Sequence, residues 1–198
     1  MEYLIFTGAP GSKWSSVVKN IYWSTSINQS DYSDERTYWH DADTPGNKHL
    51  MHIGAYWDPG MEFETDKKCW DAPFDNSKGV KLIKSHVFAY HLNELKKQNN
   101  PIVLVYRSDI DCYNWWNLCG QFNITYPNYG PYYQNLANMW IEIQKQNSAI
   151  QNFIYNNNER ITEVFNNYAL AGAVNISSNG IKQLHDYKQK GVQVYVYK

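Results

Sequence analysis

A large charge imbalance is absent from this chain of 198 residues. The 18 basic and 19 acidic side chains give a formal net charge of −1. A protein that binds nucleic acid or an anionic membrane through its overall charge carries a clear excess of positive side chains. We therefore expect neither nucleic acid nor a membrane among the partners of this protein, and a small-molecule partner is favoured.

Cysteines and long apolar runs are also scarce. Cys69, Cys112 and Cys119 are an odd number without metal-finger spacing, which argues against a disulfide framework. No apolar stretch is long enough to span a bilayer. Met1 leads straight into an apolar strand, without the basic and apolar segments of a secretory leader. These absences predict a cytoplasmic protein.

The most informative segment lies at the N-terminus, where an apolar run meets a small-residue turn. Residues 3–8 fit a buried strand, residues 8–13 read Gly-Ala-Pro-Gly-Ser-Lys, and a helix is expected from Trp14. A strand, a small-residue loop and a helix in this order direct backbone N–H groups and a helix dipole at an anion. The segment predicts the first strand and loop of an α/β nucleotide-binding domain.

Strand and helix patterns alternate along the rest of the chain, and residues 28–78 form an irregular excursion that would cover a site. The pattern predicts a single α/β domain over residues 1–198, a three-layer sandwich in which a mostly parallel sheet lies between helices. Further strands are expected at 80–84, 101–106, 160–165 and 192–197. Helices are expected at 14–27, at 87–97, from 109, at 134–155 and at 180–188.

Two further segments follow predicted strands. The first is Lys84-Ser85-His86, at the end of the strand at 80–84. The second begins with Arg107, directly after the strand at 101–106, and Asp109 lies two residues further on. The first loop and these two segments follow one another in the order of the corresponding motifs in sulfotransferases that use 3′-phosphoadenosine 5′-phosphosulfate. The chain resembles that family over about its first 115 residues, and residues 10–15 partly match the family's Pro-Lys/Arg-Ser-Gly-Thr-Thr loop. The resemblance implies a P-loop-like sulfotransferase fold.

The resemblance also implies roles for individual residues. His86 stands at the position of the catalytic base, Lys84 and Lys13 would stabilise the transferred sulfonate, and Arg107 would bind the 3′-phosphate. No metal is required, and the acceptor would be a hydroxyl or amine of a small molecule or carbohydrate. The loop that would bind the 5′-phosphosulfate comprises Gly11, Ser12, Lys13, Trp14, Ser15 and Ser16.

Three positions differ from the family pattern. Gly11 stands where the loop has lysine or arginine, and Trp115 stands where a serine makes a second 3′-phosphate contact. The late Arg-Lys-Gly cofactor segment has its counterpart in Lys190-Gly191, which by itself is typical of a solvated turn.

The chemistry of sulfonate transfer calls for the residue types found at these positions. An SO3 group moves in line between two oxygens, so the protein must position donor and acceptor and stabilise the spreading negative charge. A neutral histidine can take the acceptor proton near neutral pH. An arginine fork matches a phosphate, and the low charge of a sulfonate makes an obligatory metal less necessary.

Other functions stay open at this stage. A small-molecule or nucleoside kinase would need glycine directly before its loop lysine and a hydroxyl directly after it, where this chain has Ser12 and Trp14. The strand at 101–106 is also followed by Arg107 rather than by the aspartate that organises magnesium. A non-catalytic nucleotide- or carbohydrate-binding protein is the third alternative.

The excursion contains a group of potential metal ligands whose spacing fits no established motif, so polar loop residues are the preferred interpretation. Paired aromatic residues near the excursion suit an acceptor pocket for a sugar or aromatic alcohol, although rings filling a core explain many of them equally well. The potential metal ligands are His40, Asp41, Asp43, His49 and His52.

Overall fold

The computed structural model describes most of the chain outside the excursion. The described residues are 1–31, 37–40, 54–57, 67, 70–71, 73–75, 77–119, 133–181 and 186–198, with the backbone alone for 37–40 and 54–57.

The described strands form two sheets, one of five strands and one of two. In chain order they are β1 (Tyr3–Gly8), β2 (Thr37–His40), β3 (Gly54–Trp57), β4 (Lys81–Lys84), β5 (Ile102–Tyr106), β6 (Ile161–Val164) and β7 (Gln193–Tyr197). β2 and β3 pair with each other in antiparallel fashion. The other five strands form the main sheet, in the order β4-β1-β5-β7-β6.

Helices of varied length connect these strands. The α-helices are α1 (Trp14–Tyr22), α2 (Leu92–Leu95), α3 (Asp109–Leu118), α4 (Leu136–Asn156) and α5 (Asn167–Ala173). Short 3₁₀ helices lie at Val87–His91, Lys96–Gln98, Asn158–Arg160 and Lys188–Lys190. Over the part of the chain that the structure describes, no helix combines the length and apolar character needed to cross a membrane.

The main sheet is mixed. β1 pairs in parallel with both β4 and β5, whereas β7 pairs in antiparallel fashion with β5 and β6. Four strands therefore share one direction and β7 runs against them. The predicted α/β class is confirmed.

Alternating side chains of the main sheet build a core on each of its faces. Leu4 and Phe6 pack with α1 and α5, on what we call the first face. Tyr3 and Ile5, which alternate with them along β1, pack with α2 and α4 on the second face. Because side chains of a strand alternate between faces, one apolar strand supplies both cores. The result is three layers, helix on sheet on helix.

One predicted helix is wrong in its described part, one is too long and one helix was not predicted. The helix predicted at 14–27 ends at Tyr22, because the chain turns at Trp23. Gly180 and Ile181 lie outside any helix, and the only regular structure described near the end of the predicted 180–188 helix is the 3₁₀ turn Lys188–Lys190. The additional helix is α5, whose start is fixed by Asn166, because its side chain accepts a hydrogen bond from the Ala169 N–H at 2.9 Å.

The first loop packs backbone to backbone against α3. Gly11 has a φ of +79°, and a Cβ built on it would lie 2.0 Å from the carbonyl oxygen of Cys112. Both the left-handed backbone and the lack of space require glycine there. The position where the sulfotransferase loop has a cationic side chain therefore holds no side chain at all.

Substitution of this glycine tests the contact. Gly11→Ala should lower the free energy of unfolding by about 2–4 kcal/mol, because left-handed strain and overpacking each cost about 1–3 kcal/mol. Gly172→Ala in α5 is the matched control: its Cβ meets nothing within 4 Å, so the better helix former should add about 0.5–1 kcal/mol. Urea denaturation of both variants measures the difference, and equal effects of the two substitutions would contradict the packing.

Candidate functional site

The carboxyl ends of three parallel strands bring the predicted site residues to one edge of the sheet, the carboxyl edge. β1 lies between β4 and β5 and continues into α1 on the first face, whereas β4 continues towards α2 on the second face. The chain thus leaves neighbouring strands in opposite directions. In open α/β sheets, such a switch point leaves a crevice in which ligands bind.

The first loop makes a tight turn at this edge. The Ser12 N–H donates to the Ala9 carbonyl at 3.0 Å, and the Ser16 N–H and Oγ both donate to the Lys13 carbonyl. Lys13 itself has a φ of +64° and occupies the N-cap position of α1, where its side chain makes no capping hydrogen bond. Ser12 Oγ is fully buried and has no hydrogen-bond partner among the described residues. A group that reached this hydroxyl would satisfy its hydrogen bonding.

His86 lies directly beneath the loop, after the end of β4. Its ring is 1% exposed, and its Nδ1 lies 2.5 Å from the Gly8 carbonyl oxygen. Since a carbonyl only accepts, Nδ1 carries the hydrogen. Burial, reinforced by the nearby Lys84 charge and opposed by the Gly8 bond, lowers the pKa of His86 to about 3. The imidazole is therefore neutral, with its lone pair on Nε2.

Trp14 joins His86 and Lys84 into one buried cluster. The indole stacks on the His86 ring with centroids 4.0 Å apart and planes inclined by 21°. Lys84 is fully buried, and its Nζ lies 5.2 Å from the centroid of the Trp14 ring. Lys84, predicted to stabilise the sulfonate, and His86, predicted to act as the base, thus both contact Trp14. The sequence analysis placed Trp14 in the cofactor-binding loop.

Three cations lie near one another at the first loop. Arg107 Nη1 donates to the Gly11 carbonyl at 3.4 Å and to the Asp111 carbonyl at 3.1 Å, while its Nε is buried without a hydrogen-bond partner among the described residues. Burial lowers the pKa of Lys13, and the charges of Arg107 and Lys190 lower it further. We call Lys13, Arg107 and Lys190 the cation cluster.

Lys190 reaches this cluster because β7 is antiparallel. Gln193, the first residue of β7, pairs with Tyr106, the last residue of β5, so the preceding turn lies at the carboxyl edge. A Cβ on Gly191 would lie 3.9 Å from Arg107 Nε, and burial lowers the pKa of Lys190. The turn that looked merely solvated in the sequence therefore lies beside the predicted phosphate ligand.

The described acids compensate the cation cluster only in part: the charge of Asp111 raises the pKa of Lys13, but less than burial and the two other cations lower it. No described carboxylate forms an ion pair with Lys13, Arg107 or Lys190. Asp111 Oδ2 accepts instead from Ser108 Oγ at 2.6 Å. Like charges held together without a counter-ion raise the free energy of the protein, and a bound anion relieves that repulsion. The donor set therefore fits a phosphate or sulfate group.

The remaining positions singled out in the sequence are Trp115, Cys69 and the potential metal ligands of the excursion. Trp115, which stands where a serine contact was expected, lies under Lys13, whose Nζ is 4.2 Å from its ring centroid. Cys69 lies outside the described residues, as do the excursion's potential metal ligands other than His40. The backbone of His40 ends β2. Within the described residues, no group of three or more histidine, cysteine or acidic side chains could hold a metal ion.

Asn147 is a site residue that the sequence reading missed. It is buried on α4, and its Nδ2 donates to the Arg107 carbonyl at 2.9 Å and to Asp109 Oδ1 at 2.7 Å. It therefore ties α4 to the turn that carries Arg107. An available signal was its place four residues after Ile143, a polar side chain in the apolar stripe of the helix.

Comparisons with protein-family models, with curated proteins and with solved structures found no match for this chain. The interpretation of the site therefore depends on its residues and their geometry.

Burial of neutral His86 predicts how stability depends on pH. The unfolded chain binds a proton on this ring near pH 6.5, whereas the folded protein does so only near pH 3. Stability from this group is therefore complete above pH 6.5 and falls by about 1.4 kcal/mol for each pH unit below it. His86→Asn, which retains an N–H donor for Gly8, should flatten the fall.

Urea denaturation at pH 7.0, 6.0 and 5.0 measures this slope. His91→Asn is the matched control, because its ring is only half-buried, and it should leave most of the slope in place. A slope unchanged by His86→Asn would show that another group is responsible.

Proposed function

We propose that this protein is a sulfotransferase that moves a sulfonate from 3′-phosphoadenosine 5′-phosphosulfate to a hydroxyl or amine of a small molecule or carbohydrate. The observation that carries the proposal is the cation cluster at the switch point, three cations beside the first loop that form no ion pair with a described carboxylate. The proposal also uses the order of the three motifs in the sequence. The same proposal includes a P-loop-like sulfotransferase fold. It also includes a cytoplasmic location for the protein.

The cation cluster supplies separate contacts for a nucleotide that carries two anionic groups. Arg107 Nε, buried and without a described partner, would bind the 3′-phosphate with Lys190 beside it. Ser12 Oγ and Lys13 would bind the phosphosulfate at the start of α1, where the helix dipole adds a positive potential. When bound, the donor supplies an activated sulfonate on a phosphate leaving group.

His86 would act as the base. Its Nδ1–H is fixed on the Gly8 carbonyl, so Nε2 is the atom that takes the acceptor proton. In the structure the ring is 1% exposed, so the acceptor reaches it only after the groups that cover it move. That opening reduces the desolvation that holds the pKa down, and the imidazole becomes a stronger base as the acceptor enters.

A kinase function has less support from the same edge. The first carboxylate after β5 is Asp109, and its Oδ1 already accepts a hydrogen bond from Asn147. Arg107, rather than an acidic residue, is the side chain that follows the strand and reaches the first loop. A fixed cation at that point favours binding of an anion over organisation of a magnesium ion.

Calorimetric titration with 3′,5′-adenosine bisphosphate tests the donor site. The intact chain should bind the bisphosphate without magnesium, and Arg107→Ala should weaken binding about 10- to 100-fold, the value of a lost charged hydrogen bond. Arg160→Ala is the matched control, because Arg160 precedes β6 at the opposite edge of the sheet and lies over the Tyr197 ring. Preference for magnesium-ATP would instead support a kinase.

Transfer of label from a ³⁵S-labelled donor to a panel of hydroxyl and amine acceptors tests catalysis. His86→Asn should reduce transfer at least about 100-fold, the usual contribution of a positioned base, while bisphosphate affinity stays within about twofold of the unmodified chain. Tight bisphosphate binding with no transfer to any acceptor would favour the non-catalytic binding protein.

A further inference from the structure

A shallow depression of about 410 Å³ lies on the second face, between α4 and the end of the sheet that carries β7. Its lining consists of tyrosine rings, side-chain amides and the apolar side chain of Ile154. The tyrosines are Tyr106, Tyr155 and Tyr195, and the amides belong to Gln151, Asn158 and Gln193.

The depression follows from how the helices cover the sheet. Val194 and Val196 of β7 are buried on the first face, in the core that includes α5. Tyr195, which alternates with them, faces the opposite side and is only half-buried, at the border of the core that α4 covers. Tyr155 on α4 stands at the rim and is 81% exposed. A tyrosine this exposed stabilises the fold little, so its ring is available to a ligand.

The polar groups of the depression suit a ligand with many hydroxyls. A side-chain amide both donates and accepts hydrogen bonds, as a sugar hydroxyl does. Tyr195 Oη donates to Gln193 Oε1 at 3.3 Å, which leaves the NH₂ group of that amide to donate. Burial raises the pKa of Tyr106 and of Tyr195, so both phenols stay protonated at neutral pH.

Charge excludes most alternatives to a neutral ligand. Among the residues that the structure describes, no charged side chain lines the depression. Two negative charges act on its tyrosines, Asp109 on Tyr106 and Glu163 on Tyr195. These charges disfavour an anion against the tyrosines, and no described carboxylate lines the depression to pair with a cation. A flat ligand with apolar C–H faces and a hydroxylated edge matches both the rings and the amides.

We propose that this depression binds a neutral carbohydrate, with one sugar ring against Tyr155 and its hydroxyls bonded to Gln151 and Gln193. Tyr106 directly precedes Arg107, and Gln193 lies two residues after Gly191, so a bound glycan extends towards the cation cluster. Carbohydrate binding here needs no nucleotide and does not depend on sulfonate transfer.

Saturation-transfer NMR on the full chain tests the proposal with cellohexaose, maltohexaose and chitohexaose as probes. At least one should receive saturation on its ring C–H protons. Tyr155→Ala should weaken that binding about 3- to 10-fold, the value of one aromatic contact, and Gln193→Ala should also weaken it. Tyr168→Ala is the matched control, because that tyrosine lies on α5 and is 45% exposed; it should change nothing.

Three results would overturn the proposal: no transfer to any of the oligosaccharides, transfer that survives both Tyr155→Ala and Gln193→Ala, or Tyr155-dependent binding of adenosine without binding of an oligosaccharide. The bisphosphate titration is read separately, because Tyr155 does not belong to the cation cluster. Loss of carbohydrate binding in Tyr155→Ala with normal bisphosphate affinity assigns the effect to the depression.

Discussion

The close approach of the first loop to its neighbours is the constraint on which the site depends. A Cβ on Gly8 would lie 2.7 Å from both Ser12 Oγ and the Val105 carbonyl oxygen. Its carbonyl meanwhile accepts the hydrogen bond that orients His86. Gly11 touches the backbone of α3 in the same way. Two glycines thus bring the backbones of β1, β5 and α3 into close contact, and the Gly8 carbonyl holds the His86 ring against the end of β1.

The electrostatics follow from this geometry. With the loop seated on α3, Arg107 can bond to the Gly11 carbonyl, and Lys13 projects over Trp115. The antiparallel β7 then brings Lys190 to the same edge. Each cation is held by packing or by neutral partners, and no described carboxylate forms an ion pair with it, although the charge of Asp111 offsets part of the positive potential at Lys13. Repulsion between the cations lowers the stability of the free protein. A bound anion would remove that repulsion and stabilise the folded state.

Much of the framework can be read from the sequence, because local patterns specify it. Apolar runs bounded by glycine, proline or asparagine gave β1, β4 and β5 nearly at their observed ends, and the Ser108 N-cap agrees with a helix from Asp109. Three parallel strands then bring their following residues to one edge, so the grouping of the first loop, His86 and Arg107 was predictable.

Other features depend on contacts between distant segments, which periodicity does not contain. The hydrophobic pattern of β7 is the same for a parallel and an antiparallel strand, so neither its direction nor the place of Lys190 could be derived. The stacking of Trp14 on His86 is a tertiary contact of the same kind. The short helix α5 was missed because its signal is one capping asparagine and seven small or mixed residues.

The most direct test of the central claim, that this edge is an anion site, is the titration of the Lys13 side chain by NMR with and without 3′,5′-adenosine bisphosphate. Burial and the neighbouring cations lower the pKa of Lys13 in the free protein, and a bound phosphate should raise it, because an opposite charge nearby favours the protonated amine. A rise on addition of the bisphosphate would establish that the nucleotide binds within the cation cluster. An unchanged Lys13 pKa at saturating bisphosphate would place the nucleotide elsewhere and contradict the account.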